Sequence, residues 1–392
     1  MSQQRPHPWV MLLLSTVGQA ASSAVVNGPA FLIPALHEQG MSLSAAGWVA
    51  TASIIGGTCT LILWGAVVDA IGERLVMTAS LGLSALSLAA AAATHDSPVL
   101  LGLFLFLAGA TAAGTSSASG RVVVGWFPPR RRGTAMGVRQ MAQPVGVGLA
   151  AVAVPVLAAG PGIAAAVLAP ALVAGLSALA CAAWVLDPAR PERTAATVGA
   201  NPYRGSDYLQ RIHAVSMLLV IPQFTVWSFM LVWLQVGRDW SPGAAGALVA
   251  FAQVLGAAGR IGSGHLSDVV GSRTRPLRWV AIAAGLTMLA VGVSIRADWA
   301  VAVPLIVLAS TITVADNGLA FTAVAERAGP FWSGRALGLQ NTGQYLTAVF
   351  VPPVIGFLVP LWGYGLAFGV TGIFPLIAAP LVPRDETDLS AL

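Results

Sequence analysis

The chain contains no lysine, so all twenty of its basic side chains are arginine. A nucleotide-binding loop of the Gly-x-x-x-x-Gly-Lys-Ser/Thr type therefore cannot occur, and ATP-driven pumping by this chain has no support. Cysteine is almost as scarce: Cys59 and Cys181 lie in separate apolar stretches. The five histidines are scattered, and neither residue type has the spacing of a metal site. We predict no metal, no cofactor and no enzymatic activity.

Charge is also scarce. Only 9% of the residues are charged and 56% are hydrophobic, whereas a soluble domain carries about a quarter charged residues. The apolar stretches are long enough to make lipid the solvent of most of the chain. The net charge of +5 could suggest nucleic acid, but the arginines lie at the ends of apolar runs, which is typical of membrane topology. We predict an integral membrane protein that binds no nucleic acid.

The apolar runs divide into twelve membrane spans, six on each side of a polar segment rich in proline and arginine. We predict an all-α membrane protein made of two six-helix bundles related by pseudo-twofold symmetry: residues 1–186, a cytoplasmic linker at 187–208, and residues 209–392. The spans are 9–36, 44–66, 75–94, 98–126, 134–160, 163–186, 209–236, 243–266, 276–297, 299–325, 335–360 and 362–383.

The arginines fix the orientation of these spans. With a cytoplasmic N-terminus, fifteen arginines face the cytoplasm, while Arg238 and Arg296 face outward. Because positive residues accumulate in cytoplasmic loops, we predict a multi-pass protein of a bacterial plasma membrane with both termini in the cytoplasm.

A polar motif after the second span recurs after the eighth. Its four residues share one offset of 199 residues, and such self-similarity indicates a duplicated unit. The first copy comprises Gly65, Asp69, Gly72 and Arg74, and the second comprises Gly264, Asp268, Gly271 and Arg273.

A second repeat, at an offset of 201, relates the starts of spans five and eleven. Gly133 matches Gly334, and Gln143 matches Gln344. Because six spans is an even number, the two halves have the same orientation in the membrane, which makes them a parallel repeat.

The six-plus-six arrangement, the two Gly-x-x-x-Asp-x-x-Gly-x-Arg motifs and the segment Trp126–Gly137 resemble the major facilitator superfamily over essentially the whole chain. Within that superfamily, Gly133–Gly148 is most similar to bacterial permeases of the cyanate/nitroimidazole type, followed by organic-anion porters. Leu105 stands where many drug/proton antiporters have arginine, which counts against proton-coupled drug efflux.

The resemblance implies a role for the repeated motif. Asp69 is expected to face the start of helix eleven at Gly334 and Arg335, and Asp268 the start of helix five, so that each half latches onto the other at the cytoplasmic face. The alternative is a polar turn that only sets topology.

Asp316 is the one carboxylate that we place well inside a span. An ionisable group there is costly and is a functional candidate by default. We expect Asp316 to couple transport to protons or to contact substrate. The alternative is a structural pair with Arg260 or another buried arginine.

Three arginines, Arg121, Arg139 and Arg260, lie within spans. Three guanidinium groups against one carboxylate leave a cationic interior, and their forked donors match a planar anion. We therefore favour an anionic substrate, with snorkelling to the interface as the alternative for Arg121 and Arg139. For Arg260, which lies just before the second motif, the alternative is that it stabilises that motif.

The resemblance implies that spans one, four, seven and ten line a central cavity, with contributions from five, eight and eleven, and uncharged polar residues in these spans complete the set of candidates for substrate binding. Serines often bond their own helix, and tryptophans often lie at the interface, so the amides carry most of this prediction. The candidates are Asn27, Ser117, Gln143, Gln223, Trp227, Asn317, Asn341, Gln344 and Tyr345.

The resemblance implies a secondary transporter that works by alternating access, with proton coupling or exchange, and we expect it to function as a monomer. A small organic or inorganic anion is the favoured substrate, and efflux of small hydrophobic drugs is the alternative. A membrane sensor or enzyme on the same scaffold is the rival from another class. It would need a soluble domain or an acid/base cluster that the sequence does not contain.

Overall fold

The structure, a computed structural model, describes residues 7–189 and 201–384. Half of the predicted linker, residues 190–200 with Arg190 and Arg193, falls outside the described residues, as do the first six residues and the end of the chain. Every regular element in the described ranges is helical, as the long apolar runs predict.

Eleven helical stretches in the described residues are long and apolar enough to cross a membrane. The last, Ser333–Leu381, has 49 residues, and at about 1.5 Å per residue it would be more than twice as long as the hydrocarbon layer is thick. Gly363, with φ of 75°, interrupts its helical backbone. We number the parts α11 (333–362) and α12 (364–381), a division that is consistent with the twelve predicted spans.

The helices keep one numbering below. They are α1 (Pro8–Glu38), α2 (Leu43–Ile71), α3 (Glu73–Ala93), α4 (Pro98–Trp126), α5 (Pro129–Ala159), α6 (Ile163–Trp184), α7 (Tyr208–Gly237), α8 (Pro242–Val270), α9 (Thr274–Arg296) and α10 (Ala302–Ala328), followed by α11 and α12.

Helices α2 and α8 extend beyond their predicted ends. Asp69 and Asp268 lie in the last turn of each helix rather than in a loop. The helices end where Gly72 (φ 105°) and Gly271 (φ 68°) adopt positive φ, a conformation that glycine reaches without a steric penalty. The motif glycines therefore stop the helices just after their aspartates.

Helix α10 is broken near its middle. Its first part, Ala302–Ile312, and its second part, Asp316–Ala328, are separated by a turn at 313–315. Ser263 on α8 donates a hydrogen bond of 2.6 Å to the carbonyl of Ala315, so α8 satisfies an acceptor in the break. Discontinuous helices of this kind occur where the backbone is buried in protein.

The described residues form two compact units. The first contains Met1–Phe127, Met141–Ala200 and Ala328–Thr342, apart from the undescribed stretches within them. Its core includes Met77, Leu81, Leu88, Leu101 and Leu105, all fully buried.

The second unit contains Pro128–Gln140, Asn201–Arg327 and Gly343–Leu392, within the described ranges. Met230, Trp233, Met288 and Phe368 form much of its core.

Each unit therefore includes a short segment from the other half of the sequence: Ala328–Thr342, at the start of α11, in the first and Pro128–Gln140, at the start of α5, in the second. The predicted boundaries at 186 and 209 stay a prediction.

Candidate functional site

The first unit contains a buried charged cluster at the end of α2. The carboxylate of Asp69 accepts hydrogen bonds from the backbone amides of Gly334 (2.8 Å) and Arg335 (3.0 Å). These amides lie in the first turn of α11, where the backbone N–H groups have no partner within the helix. A carboxylate at such an end is also favoured by the helix dipole.

Arg121 on α4 completes this first charged cluster. Its Nη1 donates to Asp69, its Nε donates to Glu73 (2.8 Å), and its Nη2 donates to the carbonyl of Pro330 (2.8 Å). Asp69, Glu73 and Arg121 are each at most 4% exposed. The contacts of Arg121 favour a structural part in this cluster over the substrate contact that the sequence suggested.

Arg74 lies apart from the first charged cluster. Its side chain donates to the carbonyl of Ala182 at the end of α6 (3.1 Å from Nε). The guanidinium in the cluster therefore comes from Arg121 and not from the motif arginine.

The second unit contains a corresponding second charged cluster at the end of α8. Asp268 accepts hydrogen bonds from the amides of Gly133 (2.9 Å) and Thr134 (2.8 Å) in the first turns of α5. Arg273 donates through Nη1 to Asp268 (2.7 Å), through Nε to Glu326 (3.2 Å), and through Nη2 to the carbonyl of Pro129.

Burial disfavours the charge of Arg273, but attraction to Glu326 and hydrogen bonds to Glu326 and Asp268 hold its pKa above the ordinary value. Arg273 therefore stays charged at any physiological pH.

Glycine pairs bring the backbones together beside both clusters. A methyl group on Gly65 would overlap the carbonyl of Gly334, and one on Gly264 would overlap the carbonyl of Gly133. Because these are the glycines of the two sequence repeats, the repeats encode matching points of contact. Small residues permit such close helix packing in membranes.

Asp187, which the sequence assigned to the linker, holds the start of α3. Its Oδ1 accepts from the amides of Glu73 (2.7 Å) and Arg74 (2.8 Å). It thus caps the helix that begins with a member of the first charged cluster.

A charged group without hydrogen bonds lies deeper in the second unit. Asp316 is 1% exposed, and no residue in the described ranges forms a hydrogen bond with either carboxylate oxygen. The amides of Asp316 and Asn317 lie near the carboxylate, but neither aligns with it as a hydrogen-bond donor. Arg260 is 2% exposed, and its Nη1 likewise has no partner among the described residues.

Arg139 lies in the same unit. Its guanidinium stacks 5.7 Å from the ring centre of Phe321 on α10, and its Nη1 donates to Gln140 (2.7 Å). Two of the three candidate arginines, Arg139 and Arg260, are thus buried in the unit that contains Asp316.

Three of the candidate amides meet beside Asp316. Asn317 donates to Gln223 on α7 (3.0 Å), and Gln344 on α11 donates to Asn317 (3.2 Å). Trp227 donates to Gln253 (3.2 Å) on α8.

The first unit has a smaller counterpart of this amide network, which the sequence did not single out. Gln19 on α1 donates to Ser116 (3.1 Å) and accepts from Ser119 (3.2 Å). Ser116 matches Asn317 at the offset of 201.

The other candidates have more local surroundings. Asn27 and Asn341 each donate to a carbonyl of their own helix, four residues earlier (2.9 Å in both cases). Ser117 is fully buried, and its hydroxyl has no partner among the described residues. Gln143 and Tyr345 are partly exposed. In the described ranges, no group of three or more His, Cys, Asp or Glu side chains is placed to hold a metal ion.

Comparisons with known proteins agree with this architecture. A family model described as Major Facilitator Superfamily matches residues 12–352. An uncharacterized MFS-type transporter of Mycobacterium tuberculosis strain H37Rv is 46% identical over 378 residues, which cover 96% of this chain and 84% of that protein. A second such protein, from strain CDC 1551, has the same identity and coverage.

Solved structures share the fold at low sequence identity. The proton:xylose symporter XylE has a TM-score of 0.75 at 16% identity and covers 98% of both chains. FucP in the outward conformation has a TM-score of 0.73 at 14% identity, covering 95% of this chain and 99% of its own. The human organic anion transporter MFSD10 has a TM-score of 0.73 at 18% identity, covering 97% and 100%. The family model, which matches most of the chain, and the relatives at 46% identity show that this chain belongs to the major facilitator superfamily.

Proposed function

We propose that this transporter couples the movement of a small anion to that of a proton by alternating access. The observation that carries the proposal is Asp316, a carboxylate buried in the middle of α10 without a hydrogen-bond partner in the described part of the chain. A structural carboxylate is normally bonded. One that is not is a candidate for taking up and releasing a proton.

The fold does not select the cargo, because its structural neighbours include a xylose symporter and an organic anion transporter. The charges within this chain are more informative. Arg121 is engaged by Asp69 and Glu73, whereas Nη1 of the buried Arg260 has no partner among the described residues. This buried guanidinium donor supports an anionic substrate.

The two charged clusters are proposed as latches at the cytoplasmic face, each released when the transporter changes conformation. Asp69 binds first-turn amides of α11, and Asp268 binds amides in the second turn of α5, so small displacements of those helix ends would break several bonds together. The arginine distribution supports cytoplasmic termini in a bacterial plasma membrane. We expect a monomer to be sufficient for transport.

Uptake into proteoliposomes over a panel of anions and hydrophobic drugs, with and without a pH gradient, tests this function. An anion should accumulate only when the pH gradient is imposed. Asp316→Asn should abolish accumulation driven by the gradient and retain counterflow exchange, because exchange needs no net proton movement.

Asp298→Asn is the matched control, because Asp298 lies in the same unit and its side chain is 87% exposed. It should accumulate the anion like the unmodified protein. Accumulation that survives Asp316→Asn would exclude the coupling role, and movement of only neutral or cationic compounds would exclude the anionic substrate.

Efflux of a small hydrophobic compound is the second candidate, and one observation favours it. An apolar groove of about 330 Å³ in the second unit is lined by Ile221, Phe350, Val354, Trp362 and Phe374, among other residues. The drugs in the same panel distinguish this function, since they would then move while the anions would not.

A further inference from the structure

The break in α10 creates a helix start inside the second unit. The half-helix Asp316–Ala328 has 13 residues, and its first residue is the unbonded Asp316. The start of a helix carries partial positive charge and attracts anions. In this structure, the anionic group at the helix start is the side-chain carboxylate of Asp316 itself.

Arg260 provides a second positive group at the same place. It lies one helical turn before Ser263, which bonds the carbonyl of Ala315 directly before the half-helix. Residues three apart on a helix share a face, so Arg260 is on the face of α8 that meets the break. Its guanidinium is close enough to Asp316 for electrostatic attraction, yet its Nη1 bonds no described residue.

Among the described residues, Arg260 on α8 is the charged side chain that acts electrostatically on the Asp316 carboxylate. Arg139, from α5, stacks on Phe321 of the half-helix. Helices α7 and α11 present the uncharged amides of Gln223 and Gln344, which are linked through Asn317. With Asp316 ionised, its carboxylate offsets the charge of Arg260, and with Asp316 protonated the positive charge of Arg260 is left without this counter-charge.

We propose that the start of the half-helix and Nη1 of Arg260 form an anion-binding subsite, and that the ionised Asp316 carboxylate excludes anions from it. A proton on Asp316 removes the competing negative charge and leaves Arg260 to the incoming anion. The proton and the anion then bind together, so one turnover carries no net charge. This inference rests on the proposed anion transport and adds where the anion binds and why it needs the proton.

Coupling between the proton on Asp316 and the bound anion can be measured. Because binding free energies are reciprocal, an anion that requires one proton increases proton affinity by the same factor. In the pH range where Asp316 is mostly ionised, the anion affinity should fall about tenfold for each unit of pH increase.

The test uses the full chain in lipid nanodiscs, in weakly buffered solution with a pH indicator. Formate, nitrate and benzoate are added separately as probes. At least one of these anions should cause uptake of about one proton per protein. The affinity of the protein for that anion should fall about tenfold for each unit of pH increase. Absence of proton uptake with all three anions overturns the proposal.

Variants assign the effect to residues. Arg260→Gln should lose the bound anion, whereas Arg296→Gln, at an exposed position of the same unit, should bind like the unmodified protein. Asp316→Asn should bind the anion at every pH without proton uptake. Asp316→Thr repeats this test with the residue found at the matching position, Thr115, in case the asparagine variant fails to fold.

Unchanged binding in Arg260→Gln, or proton uptake that persists in both Asp316 variants, overturns the subsite. The proposed function is judged separately by proteoliposome transport. If the pH gradient drives accumulation of an anion equally well in the unmodified protein and in Arg260→Gln, the subsite is excluded. Proton-coupled anion transport is then still supported.

Discussion

Arg121 and Arg273 make the same three contacts in the two charged clusters although they come from different parts of the repeat. Each donates to a motif aspartate, to a glutamate and to the carbonyl of a proline. The two prolines, Pro330 and Pro129, match at the offset of 201. In the first cluster the acid, Glu73, follows the motif glycine and the arginine, Arg121, comes from α4. In the second cluster the acid, Glu326, comes from α10 and the arginine, Arg273, belongs to the motif.

Because the acid and the arginine come from opposite elements in the two clusters, we predict that the first cluster tolerates a reversed pair. Arg121→Glu alone places a third carboxylate beside Asp69 and Glu73, and should destabilise the protein by about 3–5 kcal/mol, the usual cost of breaking a buried pair. The double variant Glu73→Arg/Arg121→Glu should recover most of that loss. Thermal unfolding in detergent compares the unmodified protein, the two single variants and the double variant.

The double variant is informative because each single variant, Glu73→Arg or Arg121→Glu, should unfold at a lower temperature than the double variant. Additive losses would show that the two residues act independently and would contradict this prediction. The equivalent swap of Arg273 and Glu326 provides a second test in the other unit.

A different prediction concerns the aspartates as latches. Ser333, 3% exposed at the start of α11, is a reporter position beside Asp69. In a background with Cys59 and Cys181 replaced by alanine, Ser333→Cys should react slowly with a membrane-impermeant maleimide. Asp69→Asn should raise the rate at least about tenfold, since it weakens the bonds to Gly334 and Arg335.

Asp268→Asn should also raise the labelling rate at Ser333→Cys if one conformational change releases both clusters. An increase restricted to Asp69→Asn would indicate a local defect instead. Asp96→Asn is the control, because the Asp96 side chain is 94% exposed and forms no part of either cluster.

The sequence predicted the fold well because helices in lipid depend on long apolar runs, which are visible without a structure. The all-helical membrane fold followed from those runs, the duplication from the constant offsets, and the family from the resemblance of the repeated motifs. The lengths of α2 and α8 were underestimated because Asp69 and Asp268 look like loop residues until the amides that bind them are known.

The members of the charged clusters were harder to predict. Arg121 looked like a substrate ligand because nothing in the sequence shows that it reaches Asp69. Glu326 lies one helical turn beyond the position that matches Arg121. This spacing is informative only once the structure shows that the two clusters take their acid and arginine from opposite elements. The break in α10 was missed as well, because Thr313–Ala315 contains neither glycine nor proline.

Glycine packing next to the second charged cluster gives a third prediction. Gly264→Ala should destabilise the protein by about 1–3 kcal/mol, the usual cost of overpacking, because the new methyl group overlaps the backbone of Gly133. Gly262→Ala is a matched control two residues earlier on α8, where a methyl group meets no atom within 4 Å. Equal unfolding temperatures for the two variants would show that this contact does not limit stability.

Asp187 offers the last prediction, since it connects the first charged cluster to the segment that follows α6. Asp187→Ala removes the acceptor of two amides at the start of α3, and loss of a helix cap costs about 0.5–2 kcal/mol. The unfolding temperature should fall accordingly, and Asp187→Asn should retain part of the cap through its carbonyl oxygen. Because Glu73 begins α3, Asp187→Ala should also raise labelling at Ser333→Cys, though less than Asp69→Asn does. A fall in stability without any change in labelling would mean that Asp187 supports α3 alone and leaves the bonds between Arg121 and Asp69 undisturbed.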